Sequence, residues 1–249
     1  MAKTVSYDVS GYEEFQRRAR DNELSGNQKA GFPDDLRVGK SQSILSDIIA
    51  KIPAFGQPGA SILDIGIGCS DLSHAIVAHA MELGQKLTLI DGAEVLKALP
   101  SAPNITKIEG PFPQCLRDME SIGPFDSILA YSVVQYVFAE SSIGQFVDEA
   151  LMLLDGTNGA FLIGDIPNIS MRKRFLVSDA GRAYHNEHYA GKPSPAVEFN
   201  TLDSGQIDDA IILGLVARAR NAGFQAFVLP QNPSLPMANR REDILIRRP

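Results

Sequence analysis

The 249 residues carry a formal net charge of −7, with 44% hydrophobic and 21% charged side chains, a balance that lets the chain bury a full core as one domain with additions. The acidic balance excludes broad nucleic-acid binding, which needs a positive surface to neutralise phosphates, and favours small-molecule partners; an oligomer is compatible with it. No stretch approaches the roughly 20 apolar residues of a membrane helix, and the start lacks the basic, apolar, small-residue order of a signal peptide, so the reading is cytoplasmic with no membrane partner.

In chain order, residues 1–40 read as an N-terminal extension. Tyr12, Phe15 and Leu24 interrupt a polar stretch containing Arg17, Arg18 and Arg20, and Gly31-Phe-Pro-Asp-Asp-Leu-Arg-Val-Gly39 follows. This predicts a short helix and then an ordered loop packed across the sheet edge or a pocket mouth. Phe32 and Arg37 offer a functional alternative there, capping a cofactor or binding a carboxylate that suits an arginine fork. Residues 41–52 place Ile44, Leu45, Ile48, Ile49 and Ile52 on one helix face, which Pro53 ends.

Ser61-Ile-Leu-Asp-Ile-Gly-Ile-Gly-Cys-Ser70 is the stretch around which the chain is organised. Ile62, Leu63 and Ile65 suit a buried parallel strand. Gly66 and Gly68 let the backbone turn sharply and bring its N–H groups close to a ligand. Apolar positions at helical spacing follow from Asp71 to Met81, carrying His74 and His79 as structural residues. A second strand, Lys86–Ile90, ends in Asp91 and Gly92, where a doubly wound sheet binds ribose hydroxyls through an acid. Cys69 and Cys115 make neither a disulfide framework nor a metal cluster.

A short helix over Ala93–Leu99 precedes a third strand, Asn104–Gly110, with Glu109 near its end. Gly123-Pro-Phe-Asp126 leads into a fourth strand, Ser127–Tyr131, followed by Ser132. Tyr131 is a core aromatic or a site residue, and its place at the carboxyl end of a central strand favours the site. A helix over 146–154 and a glycine turn deliver a fifth strand, Ala160–Gly164, ending in Asp165. Residues 166–205 fit no regular element and read as a substrate lid. A helix over 207–222 and two strands, 225–229 and 242–247, joined as a hairpin, close the chain.

Asp64-x-Gly66-x-Gly68-x-Ser70, with Asp91 after it, resembles motif I of the class I S-adenosylmethionine-dependent methyltransferases, acid-x-Gly-x-Gly-x-Gly, with Ser70 in place of the last glycine. The NAD fingerprint differs: it keeps the position of Asp64 apolar and puts a third glycine or alanine where this chain has Asp71. The resemblance covers roughly residues 41–249. It implies an α/β fold, a doubly wound and mostly parallel seven-stranded sheet with a C-terminal antiparallel hairpin, and S-adenosyl-L-methionine as cofactor. It assigns Asp64, Gly66, Gly68, Ser70, Asp91 and Gly92 to the cofactor, with Tyr131 and Ser132 facing its sulfonium. The acid that meets the adenine amino group falls at Glu109, one position displaced, with an ordinary exposed strand-end residue as the alternative there.

Leu24-Ser25, Gly31-Phe-Pro33, Arg37-x-Gly39, Gly68-Cys-Ser70 and the Ile166-Pro-Asn168 to Arg174-Phe175 stretch together resemble methyltransferases of bacterial surface-polysaccharide biosynthesis. This implies O-methylation of a sugar, sugar nucleotide or glycan precursor. A hydroxyl acceptor needs its proton removed, and His185 or His188, with Asp165, are the candidates for that role; simple surface residues are the alternative for the histidines. Their i, i+3 spacing permits a metal, but spacing fixes no third ligand, so no metal site is assigned. Arg172, Lys173 and Arg174 read as a solvated charge run, or as the site of an anionic acceptor. A nicotinamide-dependent oxidoreductase and a non-catalytic cofactor-binding subunit stand as the alternative functions.

Overall fold

The computed structural model describes residues 11–117, 122–201 and 203–249. The first ten residues of the expected extension, and residue 202 of the expected lid, lie outside that description. Four helices come first: α1 Tyr12–Arg20, α2 Gly26–Lys29, α3 Asp34–Arg37 and α4 Ser41–Lys51. Then β1 Ser61–Ile65, α5 Asp71–Glu82, β2 Lys86–Asp91, α6 Ala93–Lys97 and β3 Ile105–Glu109 form the first half of the sheet with its crossovers. The second half comprises β4 Ser127–Tyr131, α7 Val134–Glu140, α8 Ile143–Met152 and β5 Ala160–Pro167. Helices α9 Ile169–Val177, α10 Asp179–His188 and α11 Asp209–Asn221 lead to the hairpin of β6 Gln225–Pro230 and β7 Arg241–Arg247.

The seven strands run in the order β3-β2-β1-β4-β5-β7-β6. β1 to β5 are parallel, and β7 is antiparallel to both β5 and β6, giving the doubly wound sheet with a closing hairpin. The order reverses between β1 and β4. A crevice opens at such a switch point beyond the carboxyl ends of the strands, which is where open α/β sheets bind ligands.

Alternation along the strands divides the core in two. Leu63, Ile128, Phe161 and Ile163 point to the face covered by α8 and α11, while Ile62, Leu87, Leu89 and Leu162 point to the face covered by α4 and α5. Both faces are apolar, so β1 and β4 read as continuous apolar runs. Each such Leu or Ile, fully withdrawn from water, contributes about 1.5–3 kcal/mol.

Two expectations are corrected. Residues 21–40 contain α2 and α3 rather than a plain loop; Ser25 closes a capping box with Gln28 and also donates to Asp34 at 2.5 Å, which ties the two turns together. Residues 166–205 are not irregular throughout, because Asn168 caps α9 and Ser178 caps α10. Helical spacing there is masked by the density of charged and small residues, so the caps are the legible signal.

Candidate functional site

The turn from β1 into α5 builds the site. Gly66 and Gly68 both have positive φ, +76° and +67°. At Gly66 a Cβ would stand 2.7 Å from Val133 Cγ2, so only a bare backbone passes beneath the start of α7. The Gly66 N–H donates to Ile90 O at 2.7 Å, holding the turn to β2. From the end of β2, the Asp91 carboxylate accepts from the backbone N–H of Gly68 at 2.8 Å and of Gly92 at 2.6 Å. Burial pushes the Asp91 carboxyl up to about 6 against these two bonds. Asp64 is buried, and burial together with the neighbouring Asp91 holds its carboxyl well above the usual range, which favours its protonated form.

A cavity of about 450 Å³ opens over this turn, within the range of small-molecule and cofactor pockets. Its inner wall includes Asp64, Gly66, Gly68, Ser70, Asp91, Tyr131 and Ser132. Its outer wall comes from the N-terminal segment: Tyr12, Phe15, Asn27, Lys29, Phe32 and Arg37. Helix α1 bridges the mouth. The Gln16 side chain accepts from Glu94 N at 3.0 Å, and Phe15 meets Tyr136 of α7 edge to face at 4.8 Å between ring centres.

Behind this wall lies a buried charged network. Asp165 accepts from Arg37, from the Ser132 hydroxyl and from Arg241, the last at 2.8 Å. Its carboxyl sits below the usual range because Arg241 and Arg37 outweigh the cost of burial. Asp243 accepts from Lys51 at 2.7 Å, and Gln231 donates to both Asp165 and Asp243 at 3.2 Å. Ser132 and Asp165 both have left-handed backbone, φ +61° and +59°. Non-glycine residues there cost about 1–2 kcal/mol each; Ser132 directly follows β4, and Asp165 lies inside β5, where the register against β7 shifts between Ile163 and Ile166.

Seven of the expected cofactor residues thus line one cavity, and two do not. Gly92 stands behind Asp91 as a donor to its carboxylate. Glu109 is exposed at the end of β3, and Gly110, Pro111, Phe112 and Gln114 form that part of the wall instead. The expected catalytic residues are not brought together. Neither His185 nor His188 lines the cavity: the His185 ring bonds Lys192 O at 3.1 Å, and His188 stacks on Tyr184 at 4.2 Å. Asp165 is fully committed to donors, so it is not poised to take a proton. His185→Ala and His188→Ala are therefore expected to leave ligand affinity and turnover within about twofold of wild type, since neither side chain, the buried His185 or the exposed His188, reaches the cavity. A larger loss in either calorimetry or turnover would put the histidines back at the site.

The expected lid lies elsewhere: Lys173 pairs with Asp203 at 2.5 Å and Arg174 with Asp209 at 2.5 Å, and none of the described residues of 166–205 lines the cavity. The segment that walls the cavity is the N-terminal one. Tyr12, Phe15 and Ala19 recur on one face of α1, a helical pattern readable in the sequence. Among the described residues no group of three or more His, Cys, Asp or Glu side chains is placed to hold a metal, and no helix is long and apolar enough to cross a membrane.

No family model and no curated protein matches the chain. Solved structures do. A Listeria monocytogenes protein described as an S-adenosylmethionine-dependent methyltransferase superposes with a TM-score of 0.54 at 16% identity, over 84% of this chain and 98% of its own. The plantazolicin methyltransferase BpumL, solved with a monoazolic desmethylPZN analogue and SAH, gives 0.55 at 13% identity, over 86% of each chain. The plantazolicin methyltransferase BamL gives 0.53 at 14% identity, over 95% of this chain and 99% of its own. At these identities the likeness is one of fold, and with the sheet order and closing hairpin it leads to one conclusion: the chain has the fold of the class I S-adenosylmethionine-dependent methyltransferases.

Proposed function

We propose that the chain is an S-adenosylmethionine-dependent methyltransferase acting on a small molecule. The observation that carries this reading is the Asp91 carboxylate at the end of β2, half-buried in the cavity wall beside the Gly66–Gly68 turn. The donor set fits the cofactor. Asp91 is placed to accept from both ribose hydroxyls, the turn brings bare backbone against the ligand, and Tyr131 and Ser132 close the cavity beyond β4. When bound, S-adenosylmethionine supplies a methyl group already activated on a sulfonium. The chain's own residues then have to align the acceptor and keep water out, tasks that suit the aromatic outer wall.

The ribose reading has a pH signature. An unfolded aspartate titrates near 3.8, whereas half-buried Asp91 is raised to about 6, so between these values the folded chain holds more protons than the unfolded one. Stability of the unliganded protein therefore falls as pH rises through that window. Ligand affinity moves the other way, because the ribose hydroxyls donate to the ionised form. Calorimetry with S-adenosylhomocysteine is expected to give binding about tenfold weaker at pH 5 than at pH 7, and Asp91→Asn is expected to flatten the profile.

For the acceptor, the sequence resemblance supports a sugar, sugar nucleotide or glycan precursor methylated on oxygen. Phe15, Phe32 and Tyr136 in the cavity wall support a second reading, an acceptor with an aromatic ring of its own; such rings also stack on the C–H faces of sugars. The deciding experiment incubates the protein with methyl-labelled S-adenosylmethionine and a panel of sugar nucleotides, glycan precursors and aromatic acids. Label transfer together with S-adenosylhomocysteine release supports the reading and picks the class. Tight cofactor binding with no transfer to any acceptor would replace the enzyme with a cofactor-binding subunit.

A further inference from the structure

Asp165 does not line the cavity, yet two side chains that do line it, Arg37 and Ser132, are both held by its carboxylate. Arg37 belongs to α3 of the N-terminal segment, so this contact joins the outer wall of the cavity to the strand ends that form its inner wall. Arg37 is 6% exposed and its guanidinium lies 4.0 Å over the Phe32 ring. Its Nε is buried and has no hydrogen-bond partner. Other ties of the segment are neutral or more exposed: Gln16 with Glu94 N is a neutral bond, the Tyr12 N–H donates to the exposed Glu140 at 3.3 Å, and the Arg20–Glu94 pair, at 3.5 Å, has its arginine 66% exposed. The Arg37–Asp165 pair is charged on both sides and buried, so its geometry decides where the segment sits.

The pair is also built to open. Asp165 is shared between Arg37, on the segment, and Arg241, on β7, which donates to its carboxylate and to its backbone carbonyl, both at 2.8 Å. Withdrawing Arg37 leaves the carboxylate still paired with Arg241, bonded to Ser132 and approached by Gln231. A buried charge stranded without a partner is what normally makes breaking such a pair prohibitive, and here that is avoided. Phe32 lies against both guanidiniums, with Arg241 5.5 Å from its ring centre, so ring and arginine leave or dock together.

We propose that Asp165 is a positioning residue that docks the N-terminal segment, residues 11–40, onto the cavity through Arg37, so that docking of the segment and occupation of the cavity are one coupled event. This rests on the reading of the cavity as the cofactor site. A ligand beneath Tyr12, Phe15 and Asn27 enters when Arg37 swings off Asp165, and is enclosed when the pair re-forms.

The test combines hydrogen exchange of peptides from residues 11–40 with calorimetric titration of S-adenosylhomocysteine, on wild type, Asp165→Asn, Arg37→Gln and the double variant. Wild type is expected to show slower exchange in 11–40 when the ligand is added. Each single variant is expected to speed exchange in 11–40 about tenfold without ligand, leave β1 and β4 unchanged, and weaken the ligand about 10- to 100-fold. The double variant is expected to be no worse than either single one, since both remove the same contact. Additive losses, or weaker binding with exchange in 11–40 unaltered, would overturn the proposal. Should Asp165→Asn fail to fold, Arg37→Gln, which leaves the Asp165–Arg241 pair in place, carries the same exchange and affinity test. If wild type does not bind S-adenosylhomocysteine at all, the cofactor reading fails while exchange without ligand still reads the docking contact, so the two failures are distinct.

Discussion

Asp91→Ala is expected to weaken S-adenosylhomocysteine binding by at least about 100-fold while leaving the thermal midpoint of the unliganded protein within a few degrees of wild type. Hydrogen bonds to a charged group contribute about 1.5–3 kcal/mol each, so two ribose hydroxyls on one carboxylate supply about 3 kcal/mol at the low end, a factor of roughly 100. The small change in stability has a separate origin. In the unliganded chain the Asp91 carboxylate is half-buried and partly desolvated, and its ionisation is disfavoured, as its rise to about 6 records. Removing it relieves that cost and forfeits the bonds from Gly68 and Gly92, so the two terms offset. Calorimetry and thermal melting on one preparation separate these effects. A variant that melts far below wild type would make the carboxylate a structural brace of the turn; one that binds as wild type would remove it from the ligand site.

Gly66→Ala is expected to cost about 2–5 kcal/mol of folding stability in urea denaturation. About 1–2 kcal/mol comes from placing a Cβ at φ +76°. The remainder comes from overpacking, because the new carbon would stand 2.7 Å from Val133 Cγ2 and 3.2 Å from its Cγ1. Gly68 supplies the internal control. It shares the left-handed backbone at φ +67°, but its nearest foreign atoms would be 3.7 and 3.8 Å away, ordinary contact distances. Gly68→Ala is thus expected to lose the backbone term alone, and Gly66→Ala combined with Val133→Ala to recover part of the packing term. Equal losses for Gly66→Ala and Gly68→Ala would mean that Val133 yields freely and that the start of α7 does not press on the turn.

The contrast between these two glycines marks what a sequence reading reaches. The short, largely apolar run Ser61–Ile65, the glycines after it and the acid ending Lys86–Asp91 are local, and each depends on the backbone conformation of a few neighbouring residues. They place the turn and the switch point correctly, and they put Asp91 in the cavity wall. That Val133 crosses over Gly66 and not over Gly68 depends on how α7 leaves β4, and no local pattern encodes it. The closing hairpin was legible for the same local reason, an apolar strand on either side of a proline- and asparagine-rich connection.

The misplaced parts were long-range. Asp165 reads as a candidate base because it ends a strand, yet its partners Arg37, Ser132, Gln231 and Arg241 come from four other places in the chain, and together they hold it ionised. His185 and His188 stand in the one long insertion after a strand, where a lid is the usual expectation, but on α10 neither reaches the cavity, and α9 before them makes the pairs Lys173–Asp203 and Arg174–Asp209. Arg37 and Phe32 were visible as an arginine beside an aromatic. Their partners are what turn them into part of the cavity wall, and those partners lie 95 and 128 residues away, at Ser132 and Asp165.

The central claim, that the cavity over Gly66 and Gly68 holds S-adenosylmethionine, is tested most directly by calorimetric titration of the purified protein with S-adenosylmethionine and, in parallel, with NADH. Saturable binding of S-adenosylmethionine at one site per chain, with no heat from NADH, is the expected result. Binding of NADH with none of S-adenosylmethionine would contradict it and would assign Asp91 to a nicotinamide nucleotide.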